Sequence, residues 1–190
     1  MITYKKADRT DFPQYDRIPM LAHVSSYYRI DKADRGLGGF TLVETPVTPY
    51  VRDMSIYEVA VEYENQFDIS NWAIFMASDG EKAVGGITVV SRTAEVDMLS
   101  GRDDLAVLWD IRVDDDYKRQ GIGQTLFDIA VKWSREQGLT QMKIECQNIN
   151  IPACKFYHKQ GAILSAIDEY AYYNDTEFRH EVQFMWYLKV

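Results

Sequence analysis

The sequence predicts a mixed α/β domain of the α+β kind, with a mostly antiparallel central sheet flanked by helices. Two observations lead there. The periodic segments run in the order helices, antiparallel strands, strand-loop-helix, strand-helix and closing hairpin. The chain has 190 residues, 46% hydrophobic and 26% charged, which suits one soluble domain with a single core. A single domain over 1–190 is therefore expected.

Residues 1–7 alternate weakly and predict a first strand. Residues 10–30 mix apolar and polar positions at roughly helical spacing, cut by Pro13 and Pro19, and predict one or two short helices. "GLGGFTLVETPVTPYV" is punctuated by glycine and by Pro46 and Pro49, so an irregular segment with an edge strand is expected. "NWAIFMASD" and "AVGGITVVSRT", joined by a turn at "GEK", predict a hairpin. "DLAVLWDIRV" carries apolar residues toward both faces and predicts a central strand. In "GQTLFDIAVKWSREQG", Leu126, Ile129, Ala130 and Trp133 form a helical stripe that Gly138 ends. "TQMKIECQN" reads as a strand, "IPACKFYHKQG" as a short helix stopped by Gly161, and "AILSAIDEYAYY" with "EVQFMWYLKV" as two closing strands.

The formal net charge of -8 argues against nucleic acid or an anionic membrane as partner and is compatible with a cationic small molecule. No run of about 18 apolar residues exists, so no membrane-spanning helix is expected. The opening "MITYKKADRT" lacks the apolar stretch of a signal peptide, and cytoplasmic residence is expected. The two cysteines, Cys146 and Cys154, are read as free thiols, and no metal-ligand spacing surrounds them.

"YKRQGIG", residues 117–123, lies where a strand gives way to a helix. A helix N-terminus has N–H groups without intrahelical partners and about half a positive charge, so it binds anions. Gly121 and Gly123 let the backbone approach a phosphate. Lys118 and Arg119 can add charge, and Thr125 offers a hydroxyl in the first turn. A Walker loop is excluded because Gln124 follows Gly123. A dinucleotide fingerprint is excluded because its third glycine would fall on Leu126.

The run "DIRVDDDYKRQGIGQTLFDIAVKWSREQG" resembles the acetyl-CoA-binding motif of the GNAT N-acetyltransferase superfamily, an Arg/Gln-x-x-Gly-x-Gly/Ala loop capping a helix, with Lys118 where arginine or glutamine is usual. "NINIPACKFYHKQGA" resembles the family's second motif, with Asn150, Ala153 and Tyr157 in register. The resemblance places the acetyl-CoA-binding core at about 105–165. It implies that backbone groups of Ile111, Arg112 and Val113 pair with the pantetheine arm. The N–H of Val113 or Ile111 is a candidate oxyanion donor. Residues Lys118, Arg119, Gln120, Gly121, Ile122, Gly123, Gln124 and Thr125 would hold the pyrophosphate. Tyr157 becomes the candidate general acid toward the leaving thiolate. Asn150 either caps its helix or also bonds near the cofactor arm. Asp110 is the first candidate for base or ammonium anchor and Glu145 the second, each with a plain solvated or salt-bridged carboxylate as the alternative. Tyr15, Tyr27, Tyr28 and Tyr50 either line a cation pocket or pack in the core.

More narrowly, "ACKFYHKQGA", "FMWYLKV" and "FTLVETPVTPYV" look like the streptothricin acetyltransferases, which acetylate an amine of a polycationic antibiotic. The expected activity is direct acetyl transfer from acetyl-CoA, with no metal, to a small cationic amine. Other acceptors are a polyamine, an aminoglycoside or a protein amine. A non-catalytic acyl-CoA-binding sensor is the alternative of another class. The aromatic-rich last strand suggests pairing with a second copy as a homodimer.

Overall fold

A computed structural model describes residues 1–190. In chain order the elements are β1 (Ile2–Lys6), α1 (Phe12–Tyr15), β2 (Leu21–Lys32), β3 (Phe40–Asp53), α2 (Tyr63–Gln66), β4 (Ala73–Asp79) and β5 (Lys82–Ser91). They continue with β6 (Leu105–Val113), α3 (Ile122–Glu136), β7 (Gln141–Gln147), α4 (Ile151–Lys159), β8 (Ile163–Asp168) and β9 (Gln183–Lys189). The result is a mixed α/β fold with a mostly antiparallel sheet and flanking helices, as the segment order predicts.

Two compact units are present. The first comprises Met1–Leu21, Asp53–Ile144 and Tyr187–Val190; the second comprises Ala22–Arg52 and Glu145–Trp186. Strands β7 and β9 contribute residues to both.

In the first unit the strand order is β1-β4-β5-β6-β7, antiparallel except for the β6–β7 pair. The pairing of β6 with β7 runs from Leu105–Gln141 to Leu108–Ile144 and goes no further. β6 continues to Val113 against β5, without a β7 ladder partner from Trp109 onward. A register shift accompanies this change. Val89 faces Leu108 and Thr88 faces Asp110, which leaves Trp109 as an extra residue on β6. Such a bulge turns two successive side chains to one side of the strand. Trp109 and Asp110 both reach the layer formed by α1 and the segment 58–72.

Two adjacent glycines of β5 admit elements on opposite faces. A Cβ on Gly85 would lie 2.8 Å from Ile122 Cγ2 of α3, and one on Gly86 would lie 2.2 Å from the Tyr15 ring. Gly86→Ala is therefore expected to displace Tyr15 and destabilise the protein by about 1–3 kcal/mol, read as a lower Tm. An unchanged Tm would mean that Tyr15 is not held against the strand. On α3 the buried residues are Ile122, Leu126, Phe127, Ala130 and Ser134. The predicted stripe is thus rotated, with Ile129 and Trp133 only half-buried. Gly138, at φ 73, lies just past the helix end as expected.

In the second unit β9 lies between β7 and β8. Both its edges are occupied, so the expected pairing of the last strand with a second copy has no free edge to use. β2 and β3 form a separate two-stranded sheet. This corrects the helices expected over residues 21–30. Ala22 and Val24 are buried between exposed neighbours, a period of two, and only one helical turn precedes them at Phe12–Tyr15. β3 is a continuous strand of 14 residues rather than an irregular segment. In a two-stranded sheet each strand has only one ladder partner, a setting in which strand prolines such as Pro46 and Pro49 occur. Asn148, buried and not foreseen from the sequence, ties this unit together. Its amide donates to the Tyr28 carbonyl and its Oδ1 accepts from the Val182 N–H.

Candidate active site

The loop after β6 has the backbone that anion binding requires. Arg119 and Gly121 take left-handed conformations, at φ 62 and φ 85. A non-glycine residue in this region is uncommon and associated with functional loops. Gly121 is the N-cap of α3 and no side chain caps it. The first capping contact is the Thr125 N–H to the Gly121 carbonyl at 2.9 Å, joined by the Thr125 hydroxyl at 3.2 Å. The N–H groups of Ile122 and Gly123 therefore lack intrahelical acceptors. A Cβ on Gly123 would meet only Val113 Cγ2, at 3.6 Å, an ordinary contact.

Arg119 and Gln120 are exposed beside this cradle, and the Gln120 amide donates to the Asp116 carbonyl. Lys118 is held back. Its ammonium group pairs with Asp115 at 2.5 Å and donates to the Leu21 carbonyl at 3.0 Å. Asp114 pairs with Lys82 and caps the turn at Asp116. Lys82 and Lys118 thus partly neutralise this acidic run.

On β6, Ile111 and Val113 are half-buried and lie on the stretch without a β7 ladder partner. Arg112 and Asp110 turn to the other face and are sealed there. Their side chains are 0% and 1% exposed and form an ion pair. The other Asp110 oxygen accepts from the Tyr15 hydroxyl, which also bonds Thr88 Oγ1. Arg112 donates further to the Glu58 carbonyl and lies over the Tyr15 ring. Of the alternatives for Asp110, the structure contains the salt-bridged carboxylate. Tyr15 is a core residue, its phenol pushed far up by burial and then by the Asp110 charge.

Sequence reasoning missed Glu58. It lies in irregular chain between Ser55–Tyr57 and Ala60–Glu62, where no periodicity marks it. Its Oε2 accepts from Trp109 Nε1 at 2.5 Å and from the Tyr63 hydroxyl at 3.3 Å. Trp109 joins Phe67 and Trp72 in an aromatic cluster with centroids 5.4–5.7 Å apart. Burial first, then the nearby Asp110 charge, push the Glu58 carboxyl up to about 7. The hydrogen bonds from Trp109 and Tyr63 and the Arg112 charge oppose that rise.

In the second unit, Tyr157 is buried on α4, its ring edge-on to Phe156 at 5.6 Å. Asn150 caps α4 by accepting from the Ala153 N–H at 3.3 Å, so the capping role is present. Glu145 accepts the Tyr172 hydroxyl at 2.6 Å. Cys146 and Cys154 are buried free thiols with sulfurs 3.5 Å apart. The hydrogen bond with Cys154, then burial, hold the Cys146 thiol well above its usual range.

Against known proteins, the chain matches the Acetyltransferase (GNAT) family over residues 42–162. The chain belongs to the GNAT acetyltransferase family. The chain is 37% identical over 84 residues to streptothricin acetyltransferase A of Bacillus subtilis (strain 168), covering 44% of this chain. That match spans 48% of the relative's length, about half. It is 27% identical over 150 residues to a streptothricin acetyltransferase of Escherichia coli, covering 78% of this chain and 76% of the relative. Among solved structures, nourseothricin acetyltransferase superposes with a TM-score of 0.78 at 21% identity, covering 99% of this chain and 98% of the other. A Bacillus anthracis str. Ames protein in complex with acetyl coenzyme A superposes at 0.79 and 22% identity, covering 100% and 98%. At these identities the two superpositions establish the fold of the acetyltransferase.

Proposed function

We propose that this acetyltransferase transfers an acetyl group from acetyl-CoA to an amine of a small cationic acceptor, streptothricin first. The observation that carries the reading is the uncapped N-terminus of α3 behind the left-handed Arg119 and Gly121. It is a preformed seat for a diphosphate. The residues there fit acetyl-CoA, which supplies the activated thioester when bound. The matches to streptothricin acetyltransferases support the acceptor, and the net charge of -8 favours a polycation.

Each residue has a defined task on this reading. The amides of Ile122 and Gly123 grip the diphosphate, and Arg119 adds charge from the loop. The edge of β6 at Ile111–Val113, without a β7 ladder partner, offers N–H and C=O groups to the pantetheine arm, as an added strand would. One of those N–H groups stabilises the negative charge that develops on the carbonyl oxygen. Tyr157 gives a proton to the departing sulfur. Asp110 and Arg112 hold the strand in place as a buried pair.

An acceptor screen with acetyl-CoA, read by thiol release, tests the reading. Streptothricin is expected to be turned over faster than polyamines, aminoglycosides or protein amines. Turnover of a protein amine but not of streptothricin would overturn the acceptor. Tight CoA binding with no transfer to any amine would favour a sensor.

Gly123→Ala separates ligand binding from folding. The position has room and no positive φ, so alanine is expected to raise stability by up to about 1 kcal/mol. The same methyl group faces the diphosphate seat and is expected to weaken CoA binding about tenfold or more, measured by calorimetry. Unchanged CoA affinity would place the diphosphate elsewhere.

A further inference from the structure

We propose, on the acetyl-transfer reading above, that Glu58 is the catalytic base that takes the proton from the acceptor's ammonium group. An ammonium nitrogen has no lone pair, and with a pKa of about 10.4 only roughly one amine in a thousand is free at neutral pH. A base beside the reacting amine is needed, and the candidate carboxylates differ in what they can still accept. Both Asp110 oxygens are occupied, by Arg112 and Tyr15, and its side chain is 1% exposed. Glu145 accepts the Tyr172 hydroxyl through Oε1 and keeps Oε2 open, so it is told apart from Glu58 by the Glu58→Gln test below and not by this count. Glu58 has one oxygen fixed and one open. Oε2 is held by Trp109 and Tyr63. Oε1 accepts nothing from the protein and is not among the buried atoms without partners, so it reaches solvent.

Its position fits the task. Trp109, which holds it, is the bulge residue of β6, where the strand loses its β7 partner ahead of Ile111–Val113. One indole ring therefore separates the carboxylate from the strand proposed to carry the thioester. The charged groups facing it are Asp110 and Arg112 of β6, which largely cancel, with Tyr63 from the start of α2 and Tyr15 from α1 behind Asp110. A carboxyl held up to about 7 is half-ionised at neutral pH, the range in which a general base works best.

The proton and bond balance is as follows. Glu58 takes one proton from the ammonium group, which frees the nitrogen lone pair. That pair forms the C–N bond to the thioester carbonyl carbon, and the C–S bond breaks with its electron pair on sulfur. The nitrogen's second proton balances the one delivered to sulfur through Tyr157, and Glu58 returns its own to solvent. The net products are the amide, the free thiol and one proton.

Glu58→Gln and Glu58→Asp test the assignment, with streptothricin as the acceptor. In the wild type, kcat/KM is expected to rise through an acid limb near pH 7. Glu58→Gln is expected to lose that limb and at least about a hundredfold in kcat, leaving only the rise toward the amine's own pKa. Glu58→Asp is expected to keep the limb with partial activity. Acetyl-CoA affinity by calorimetry is expected to be equal in all three. A second readout needs no ligand. A carboxyl whose folded pKa is raised stabilises the fold below its unfolded value near 4.5, and that stabilisation is lost as pH rises through about 7. The free wild-type protein is therefore expected to lose Tm relative to Glu58→Gln between pH 5 and pH 8. A Glu58→Gln protein with an unchanged rate and pH profile would overturn the proposal. A wild-type protein that binds acetyl-CoA yet acetylates no amine would overturn the reaction itself, and the base with it.

Discussion

Asp110→Ala is expected to destabilise the protein by about 3–5 kcal/mol, because it strands the Arg112 guanidinium without a counter-ion in a fully buried site. For a chain of this size that is a fall in Tm of about 10 °C or more. Asp110→Asn keeps an acceptor for the Tyr15 hydroxyl but not the charge, so most of the loss is expected to remain. Replacing both partners, Asp110→Leu with Arg112→Met, is expected to recover most of the stability. A hydrophobic pair carries no desolvation cost, whereas a half-removed ion pair carries all of it. Thermal and denaturant melts of the three variants measure the effect. An Asp110→Ala protein melting within 2 °C of the wild type would show that the pair is solvated. Any loss of acetyl transfer in Asp110→Ala must be read against this fall in stability, which is why Glu58 is the cleaner test of proton removal.

Tyr157→Phe is expected to lower kcat by about a hundredfold or more while leaving the fold and acetyl-CoA binding in place. The ring is buried on α4 and packs edge-on against Phe156, and phenylalanine retains that contact. Only the hydroxyl is lost. A phenol has an ordinary pKa of about 10, so it keeps its proton at neutral pH. It can give that proton to a thiolate whose pKa is about 8.5 on the cysteine scale only with some uphill cost, which a concerted transfer offsets. The effect is expected in kcat, with little change in acceptor KM, and to be smaller for thioesters with more acidic thiols. Initial rates of thiol release across such a series measure it. A Tyr157→Phe rate within threefold of wild type would reduce Tyr157 to a packing residue.

The loop proposed to seat a diphosphate is legible in the chain because its determinants are contiguous. A strand, a loop with Arg119 and Gly121, and a helix beginning at Ile122 follow one another within a few residues, and helix-end chemistry is local. The Asn150 cap and the Gly138 stop were legible for the same reason. Residues 21–30 were not, because the spacing of their aromatic and β-branched residues fits a helix almost as well as a strand. Only pairing with Phe40–Asp53 decides between the two.

The sequence by itself determined the fold class and the family: a mixed α/β chain, a glycine-containing loop before a helix, and a second motif with Asn150 and Tyr157 in register. Only the tertiary structure decided which carboxylate is sealed in a buried ion pair and which keeps one oxygen open. Asp110 and Glu58 are 52 positions apart, and their difference lies in their neighbours. Asp110 is matched by Arg112 and Tyr15, while Glu58 is hydrogen-bonded through one oxygen by a tryptophan that a bulge turned toward it. The protonation of a carboxyl depends on desolvation and nearby charge. Both are set by residues distant in the chain and brought together only by packing.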